Sequence, residues 1–298
     1  MNNKHPIRIF YLVLLTLALS IILQACTAPA AQNECPTPEA PTTEPATPTA
    51  KPPAPTPAPA GCSQPGEVKR FQIQSTLLNL RMNVTVYLPP CYDATLVGGY
   101  PVAYLLHGQT FDDRMWTNLG AAELADGLIL AGEAQPFIMV MPNEEFFYRP
   151  VRGNLFPDAV VSEVIPWAEA TFNACSAREC RAIGGISRGA AWAMRIGLTN
   201  PQVFSAIGIH SLPSFLGGDG QVVDWVKALP KDLLPRITMD SGRFDTEIKS
   251  AIPVEAVFNQ QGLPHDWRLN EGRHDEDYWK AHIAEYVRWY AQLWQKTD

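Results

Sequence analysis

Gly185-Ile186-Ser187-Arg188-Gly189 is a G-x-S-x-G stretch that lies between a run typical of a strand and a run typical of a helix. Residues 181–184 form a short, mostly apolar run. Residues 190–198 are rich in helix formers, and this segment ends before Asn200-Pro201. A serine between a strand and a helix sits on a sharp turn that exposes its hydroxyl, and glycines on both sides leave room for the backbone. The stretch therefore predicts a strand-turn-helix unit with Ser187 as a candidate nucleophile.

Outward from this unit, strand-like and helix-like segments alternate along the chain. Residues 68–74 and 81–88 alternate apolar and polar side chains, as two antiparallel strands with one buried face do. Continuously apolar runs, typical of parallel strands covered on both faces, follow at 102–106, 137–141, around 183, at 206–209 and at 237–239. Helices are predicted at about 115–131, 158–171, 188–199, 222–228, 245–261 and 277–295. This pattern predicts an α/β fold with a mostly parallel central sheet that begins with an antiparallel hairpin.

A serine hydroxyl is a weak nucleophile at neutral pH, so it requires a histidine to take its proton and a carboxylate to orient that histidine. His274 is the candidate base, because it lies in a turn directly after the strand-like residues 267–269, at the sheet edge where parallel strands end. His210 closes a strand too early to follow an acid, and His265 precedes a strand. We therefore expect His274 to face Ser187.

Two aspartates are candidates for the acid. Asp240 and Asp245 both follow the apolar run 237–239, and spacing alone does not separate them. Asp245 also has a competing role as the N-cap of the helix that follows.

A reaction at Ser187 also requires hydrogen-bond donors for the negative oxygen that forms on the substrate. The backbone amide of Arg188, directly after the serine, is one candidate donor, and the loop after the third strand should provide the other. Leu105-Leu106-His107-Gly108-Gln109 lies at that loop, which makes the amide of Gln109 the second candidate. His107 is interpreted as a residue that supports the turn.

The chain resembles the esterase group of the α/β-hydrolase superfamily that includes feruloyl and acetylxylan esterases, S-formylglutathione hydrolases, enterochelin esterases and mycolyltransferases. The resemblance covers residues 68–294 and depends on five motifs in order. They are Tyr104-Leu-Leu-His-Gly, Glu163-Val-Ile-Pro166 with Thr171-Phe172, Arg181-Ala-Ile-Gly-Gly-Ile-Ser187-Arg-Gly, Ser241-Gly-Arg-Phe-Asp245, and Gly272-Arg-His274 with Tyr278-Trp279.

This resemblance implies the α/β-hydrolase fold with helices on both faces of the sheet, and it implies that the acid is Asp245. Two features of the sequence depart from the pattern of the group. Arg188 stands where many members have methionine, which would place a positive charge beside the oxyanion or an acidic substrate group. The run Asp275-Glu276-Asp277 forms an acidic cluster after the base.

Residues 1–25 have the layout of a bacterial lipoprotein signal peptide. Lys4 and Arg8 precede an apolar run, and Leu23-Gln24-Ala25-Cys26 resembles the lipobox in which the cysteine is lipid-modified. The run is short for a membrane span, although its flanks leave a retained anchor as the alternative. We expect Cys26 to carry the lipid and to be the only attachment of the protein to a membrane, at the bacterial cell surface or in the periplasm.

Composition separates a linker from a single domain. Residues 26–66 are dominated by Pro, Thr and Ala, cannot bury a core and are expected to act as a disordered spacer. Residues 67–298 suffice for one core, the α/β-hydrolase (esterase) domain. The formal net charge of −7, which becomes more negative without the leader, disfavours nucleic acid as a partner.

Six cysteines are present. Export permits disulfides, and Cys175 with Cys180 flanks a short turn while Cys62 with Cys91 flanks the predicted hairpin, so both are candidate pairs. Cys35 in the linker has no evident partner, and without a C-x-x-C pattern a zinc ribbon or a thioredoxin-like site has no basis.

Together these observations predict a lipid-anchored extracytoplasmic serine esterase that acts on small-molecule or polysaccharide esters without a metal or organic cofactor. The alternatives are an acyltransferase of the same fold and a non-catalytic lipoprotein that binds solutes or glycans.

Overall fold

The central sheet has eight strands within the residues that the computed structural model describes, namely 61–148, 151, 153–214 and 219–295. The strands are β1 Glu67–Ser75, β2 Leu80–Leu88, β3 Val102–Leu106, β4 Ile138–Pro142, β5 Arg181–Ile186, β6 Ala206–His210, β7 Arg236–Gly242 and β8 Asp266–Asn270. Their spatial order is β1-β2-β4-β3-β5-β6-β7-β8. The pairs β1–β2 and β2–β4 are antiparallel and the others are parallel. The predicted hairpin and mostly parallel sheet are confirmed.

Helices connect the parallel strands. They are α1 Met115–Asn118, α2 Ala121–Leu130, α3 Phe156–Ala159, α4 Ile165–Thr171, α5 Arg188–Thr199, α6 Asp219–Ala228, α7 Ile248–Gln261 and α8 Glu276–Gln292. A π-helical turn, Val160–Val164, joins α3 to α4, and short 3₁₀ turns precede β5 and β7.

Alternate side chains of the buried strands enter two different cores. In β3, Val102, Tyr104 and Leu106 contact the core that α4, α5, α6 and α7 cover, whereas Ala103 and Leu105 contact the core that α1, α2 and α8 cover. Both faces of the sheet are therefore covered, which explains why this strand is apolar at every position.

The helix boundaries differ from the sequence-based expectations in physically simple ways. The helix predicted at 115–131 is two helices, because Gly120 adopts a left-handed backbone with φ of 97° between them. The helix predicted from residue 245 begins at Ile248, with Glu247 as its N-cap, so Asp245 does not cap it. The helix predicted from residue 222 begins at Asp219, and α8 covers Glu276–Gln292 instead of 277–295.

Two disulfides lie within the described residues. Cys62–Cys91 joins the segment before β1 to the segment after β2, and Cys175–Cys180 closes the turn before β5. Both pairs are those considered from the sequence. Cys26, the leader 1–25 and linker residues 26–60 lie outside the described residues, and no helix in the described ranges combines the length and hydropathy of a membrane span.

Candidate active site

Ser187 lies at the junction of β5 and α5, at the carboxyl edge of the sheet. Its backbone has φ of 55° and ψ of −121°, a conformation that costs a non-glycine residue about 1–3 kcal/mol. The amide of Ser187 donates to the carbonyl of His210 at the end of the neighbouring strand β6, at 2.8 Å. The surrounding structure therefore holds the serine in a strained turn, as the G-x-S-x-G stretch predicts.

The two glycines of the stretch are required by close approach of the backbone. A Cβ on Gly185 would overlap the backbone of Gly189, and a Cβ on Gly189 would overlap the carbonyl of Leu106 in β3. Because the neighbouring atoms are backbone, they cannot move aside as a flexible side chain would. Glycine at both positions is what lets α5 start directly against the sheet.

The structure brings Ser187, His274 and Asp245 together in one hydrogen-bonded series. Ser187 Oγ lies 2.8 Å from His274 Nε2, and His274 Nδ1 lies 3.0 and 2.8 Å from Asp245 Oδ1 and Oδ2. The Asp245 side chain is fully buried and that of His274 is 18% exposed. With Nδ1–H donating to the carboxylate, Nε2 is left to accept the serine proton.

The Asp245 carboxylate is fixed by two further donors. The amide of Glu247 donates to Oδ1 at 2.7 Å, and Ser241 Oγ lies 3.4 Å from Oδ2. Asp245 thus folds back on its own loop before α7 begins, and it orients His274 instead of capping the helix.

Asp240, the other candidate acid, has different partners. Its Oδ1 lies 2.7 Å from His210 Nδ1, and its Oδ2 accepts from Tyr278 and Tyr286 at 2.6 and 2.8 Å. Tyr290 Oη completes this buried cluster at 3.2 Å from His210 Nε2. Burial and the nearby Asp240 raise the pKa of Tyr278, Tyr286 and Tyr290, so all three hydroxyls stay protonated and can donate. The structure therefore contains a second His–Asp pair, with no hydrogen bond to Ser187 Oγ.

The candidate oxyanion donors, Gln109 and Arg188, belong to two segments next to Ser187. Gln109 is in a turn in which the amide of Phe111 donates to the carbonyl of Gly108 at 3.1 Å. A Cβ on Gly108 would be 3.5 Å from Ser187 Cβ, so this turn lies against the serine. Arg188 is the first residue of α5, at the helix end where the dipole favours negative charge.

His107 connects this turn to the backbone of Glu144. Its Nδ1 lies 2.8 Å from the carbonyl of Gly108, and its Nε2 accepts from the amide of Glu144 at 2.8 Å. Burial lowers the pKa of His107 below its ordinary value, so the ring stays neutral and Nε2 remains an acceptor.

The side chain of Arg188 corrects an expectation from the sequence. Its Nε and Nη2 each lie 2.6 Å from a carboxylate oxygen of Glu144, and both side chains are buried. The carboxylate therefore balances the positive charge that was expected beside the oxyanion. Glu144, two residues after β4, escaped the sequence analysis, although its position at the carboxyl edge of a parallel strand is a signal that could have found it.

The acidic cluster after His274 also has a structural explanation. Asp275 is the N-cap of α8, and its carboxylate accepts from the amide of Tyr278 at 3.0 Å. Glu276 and Asp277 occupy the first turn, where negative side chains interact favourably with the helix dipole. The cluster fixes the start of the helix directly after His274.

The side chain of Trp279 lies beside His274, and that of Phe111 lies beside Trp279. The ring of Trp279 lies 5.4 Å from that of His274 and 5.7 Å from that of Phe111, both edge to face. Trp279 Nε1 donates to Ser211 Oγ at 3.0 Å, which fixes the indole. Within the described parts of the chain, no group of three or more His, Cys, Asp or Glu side chains is arranged to hold a metal ion.

Comparisons with known proteins identify the family of the chain. A family model described as "Putative esterase" matches residues 75–290. An esterase of Mycobacterium tuberculosis is 30% identical over 165 residues, which cover 52% of this chain and 34% of that protein. An acetyl esterase of Caldicellulosiruptor saccharolyticus is 25% identical over 223 residues, which cover 64% of this chain and 83% of the relative. The chain spans about a third of the length of the first curated relatives that it matches.

Solved structures extend the similarity to the fold. A ferulic acid esterase structure has a TM-score of 0.67 and 24% identity, and the match covers 77% of this chain and 98% of that structure. The predicted α/β-hydrolase fold is therefore confirmed. Because the family model spans most of the chain and includes Ser187, Asp245 and His274, the protein belongs to this esterase family of the α/β-hydrolases.

Proposed function

We propose that the protein is a serine esterase that hydrolyses carboxylic esters through an acyl-enzyme. One observation carries this proposal: the continuous series from Ser187 Oγ to His274 and on to the buried Asp245, with no distance above 3.0 Å, built on a strained turn. In this role Ser187 is the nucleophile, His274 the base and Asp245 the residue that orients the base.

The reaction follows from these positions. Ser187 Oγ attacks the ester carbonyl while His274 Nε2 takes its proton, and the oxygen that becomes negative accepts hydrogen bonds from the amides of Gln109 and Arg188. His274 then returns the proton to the leaving alcohol, which leaves the acyl group on Ser187. Water, deprotonated by His274, attacks this acyl group; the bond to Ser187 Oγ then breaks, His274 returns the proton to Oγ, and the acid is released. These steps use no metal or organic cofactor.

The variant Ser187→Ala tests the proposal. It should abolish hydrolysis of p-nitrophenyl acetate and labelling by a fluorophosphonate probe, because both require the serine oxygen. Ser162→Ala, at an exposed serine in the turn before α4, is the matched control and should retain both. A Ser187→Ala protein with unchanged turnover would contradict the mechanism. An unlabelled wild-type protein would favour a binding lipoprotein, and acyl transfer to added alcohols at the expense of hydrolysis would favour an acyltransferase.

We further propose that the enzyme is lipid-anchored at Cys26 and acts outside the cytoplasm, with a proline-rich spacer before the domain. The leader pattern supports this location, as do the two disulfides of the domain, because such bonds persist mainly in oxidising compartments. Acetyl and feruloyl esters are the substrates to compare first, because relatives and neighbours are named acetyl esterase and ferulic acid esterase.

A further inference from the structure

Glu144 is a buried carboxylate with an unusually full set of donors. It is 3% exposed, and besides Arg188 it accepts from Trp192 Nε1 at 2.8 Å and from Asn154 Nδ2 at 3.0 Å. The contact with Arg188 is bidentate, with both distances at 2.6 Å. Paired and hydrogen-bonded in this way, a buried carboxylate has a single favourable orientation.

The main chain of Glu144 makes a second connection. Its amide donates to Nε2 of His107, and Nδ1 of the same ring bonds the carbonyl of Gly108, the residue before Gln109. One residue thus contacts both loops that provide the candidate oxyanion donors. Its side chain reaches the residue after the nucleophile, and its backbone reaches the turn that contains Gln109.

The sheet order explains why this position can join the two loops. Strand β3 lies between β4 and β5, so the loop after β3 lies between Glu144, which follows β4, and Arg188, which follows β5. The ion pair spans this loop while His107 connects it to the Glu144 backbone. The three loops therefore cannot shift independently without breaking a buried contact.

We propose that Glu144 is a positioning residue that fixes the amides of Arg188 and Gln109 at the distance required by the oxyanion. This inference rests on the proposed esterase function. Oxyanion donors act only when their positions are set before the reaction, and a displacement near 1 Å is enough to lower the rate by about 100-fold. Glu144 itself touches no reacting atom and acts through Arg188 and His107.

The variant Glu144→Gln tests the inference, with Glu145→Gln at the adjacent, partly exposed carboxylate as matched control. Rates are expressed per active site by fluorophosphonate titration, so that an unfolded fraction does not count. We expect kcat for p-nitrophenyl acetate to fall about 10- to 100-fold with little change in KM. The inhibition constant of a trifluoromethyl ketone, which forms an oxyanion on Ser187, should rise by the same factor. Glu145→Gln should match wild type.

A second variant covers the case in which Glu144→Gln does not fold. Arg188→Lys keeps the buried charge and the backbone amide but replaces a bidentate contact with a single one. We therefore expect kcat and the affinity for the ketone to fall together, by a smaller factor than in Glu144→Gln. Wild-type kcat and ketone binding per titrated site in either folded variant would overturn the inference. If Ser187→Ala is inactive in the same assay, that result leaves the proposed function intact; if Ser187→Ala is active, the function itself fails.

Discussion

Asp240 and Asp245 are five residues apart at the carboxyl edge of one strand, yet their partners differ completely. Asp240 contacts His210 and two tyrosines of α8, whereas Asp245 contacts His274 and the amide of Glu247. Their spacing could not separate them, because the groups that decide are distant in sequence. The family motif identified Asp245 as the candidate acid, and the structure explains what Asp240 does instead.

We expect Asp245→Asn and Asp240→Asn to fail in different ways. Asp245→Asn should lower kcat by about 10³- to 10⁴-fold while the protein stays folded, because His274 would no longer be held in the required tautomer. Asp240→Asn should lower the free energy of unfolding by about 3 kcal/mol, because an amide cannot accept all the donors that surround it. Thermal unfolding and kinetics at low temperature separate the two effects. The reverse pattern would identify Asp240 as the acid.

At the scale of single residues, contacts between side chains that are distant in sequence were the hardest feature to predict. Ser187, His274 and the two disulfide pairs could be read from position along the chain. The contact between Arg188 and Glu144 could not, because it joins residues 44 apart through strand order alone. A local sequence pattern therefore does not predict this bidentate ion pair.

Two glycines, one in β5 and one in β6, leave a gap in the side-chain layer of the sheet, and this gap, the slot, accommodates a side chain of α8. Gly184 and Gly208 are register partners on the adjacent strands, and a Cβ on either would overlap the hydroxyl of Tyr290. That hydroxyl reaches His210 through the slot. The glycines therefore let α8 approach the sheet closely enough to complete the cluster around Asp240.

The importance of the slot for stability can be tested by adding a methyl group at Gly184. Gly184→Ala should lower the free energy of unfolding by about 1–3 kcal/mol through overpacking, and adding Tyr290→Phe, which removes the overlapping hydroxyl, should recover part of that loss. Gly127→Ala in α2 is the control: its Cβ would meet nothing within 4 Å, and helix propensity predicts a gain of about 0.5–1 kcal/mol. Denaturant unfolding is measured for five proteins: wild type, Gly184→Ala, Tyr290→Phe, the double variant and Gly127→Ala. Additive losses in the double variant would argue against the overlap.

The strands were more predictable than the helix ends. Apolar runs located the five strands β3 to β7 within a few residues, because burial on both faces leaves a continuous signal in the sequence, and alternation located β1 and β2. The break at Gly120 and the start of α7 at Ile248 depend on single backbone angles and on one side-chain hydrogen bond, from the amide of Glu247 to Asp245. Such local choices leave little trace in composition.

At the scale of the whole molecule, a disulfide crosslinks the domain close to the point where the proposed spacer would join it. Cys62 lies before β1, which is an edge strand paired with β2 alone among the described strands, and its partner Cys91 lies after β2. A pull on the chain before Cys62 would be carried by the disulfide to the segment after β2, so β1 would not be peeled from the sheet. This arrangement would suit the proposed N-terminal tether.

The proposed anchor is tested with Cys26→Ser. If the cysteine carries the lipid, this variant should move from the membrane fraction to the soluble fraction with ester hydrolysis per molecule unchanged, because one residue of the lipobox is the attachment point. Cys35→Ser, in the same proline-rich segment, is the matched control and should stay with the membrane. Membrane retention of Cys26→Ser would favour a retained apolar leader instead.

The position of α8 also determines when the proposed active site can form. Within the described residues α8 follows every other element, and it supplies Tyr278, Tyr286 and Tyr290 to Asp240 and Trp279 to the side of His274. A chain that is still being synthesised, or is passing through a translocon N-terminus first, presents Ser187 long before His274 and α8. In the proposed mechanism the serine therefore remains an ordinary alcohol until His274 and α8 have folded against it, so the reactive site forms only when the last helix of the described residues is in place.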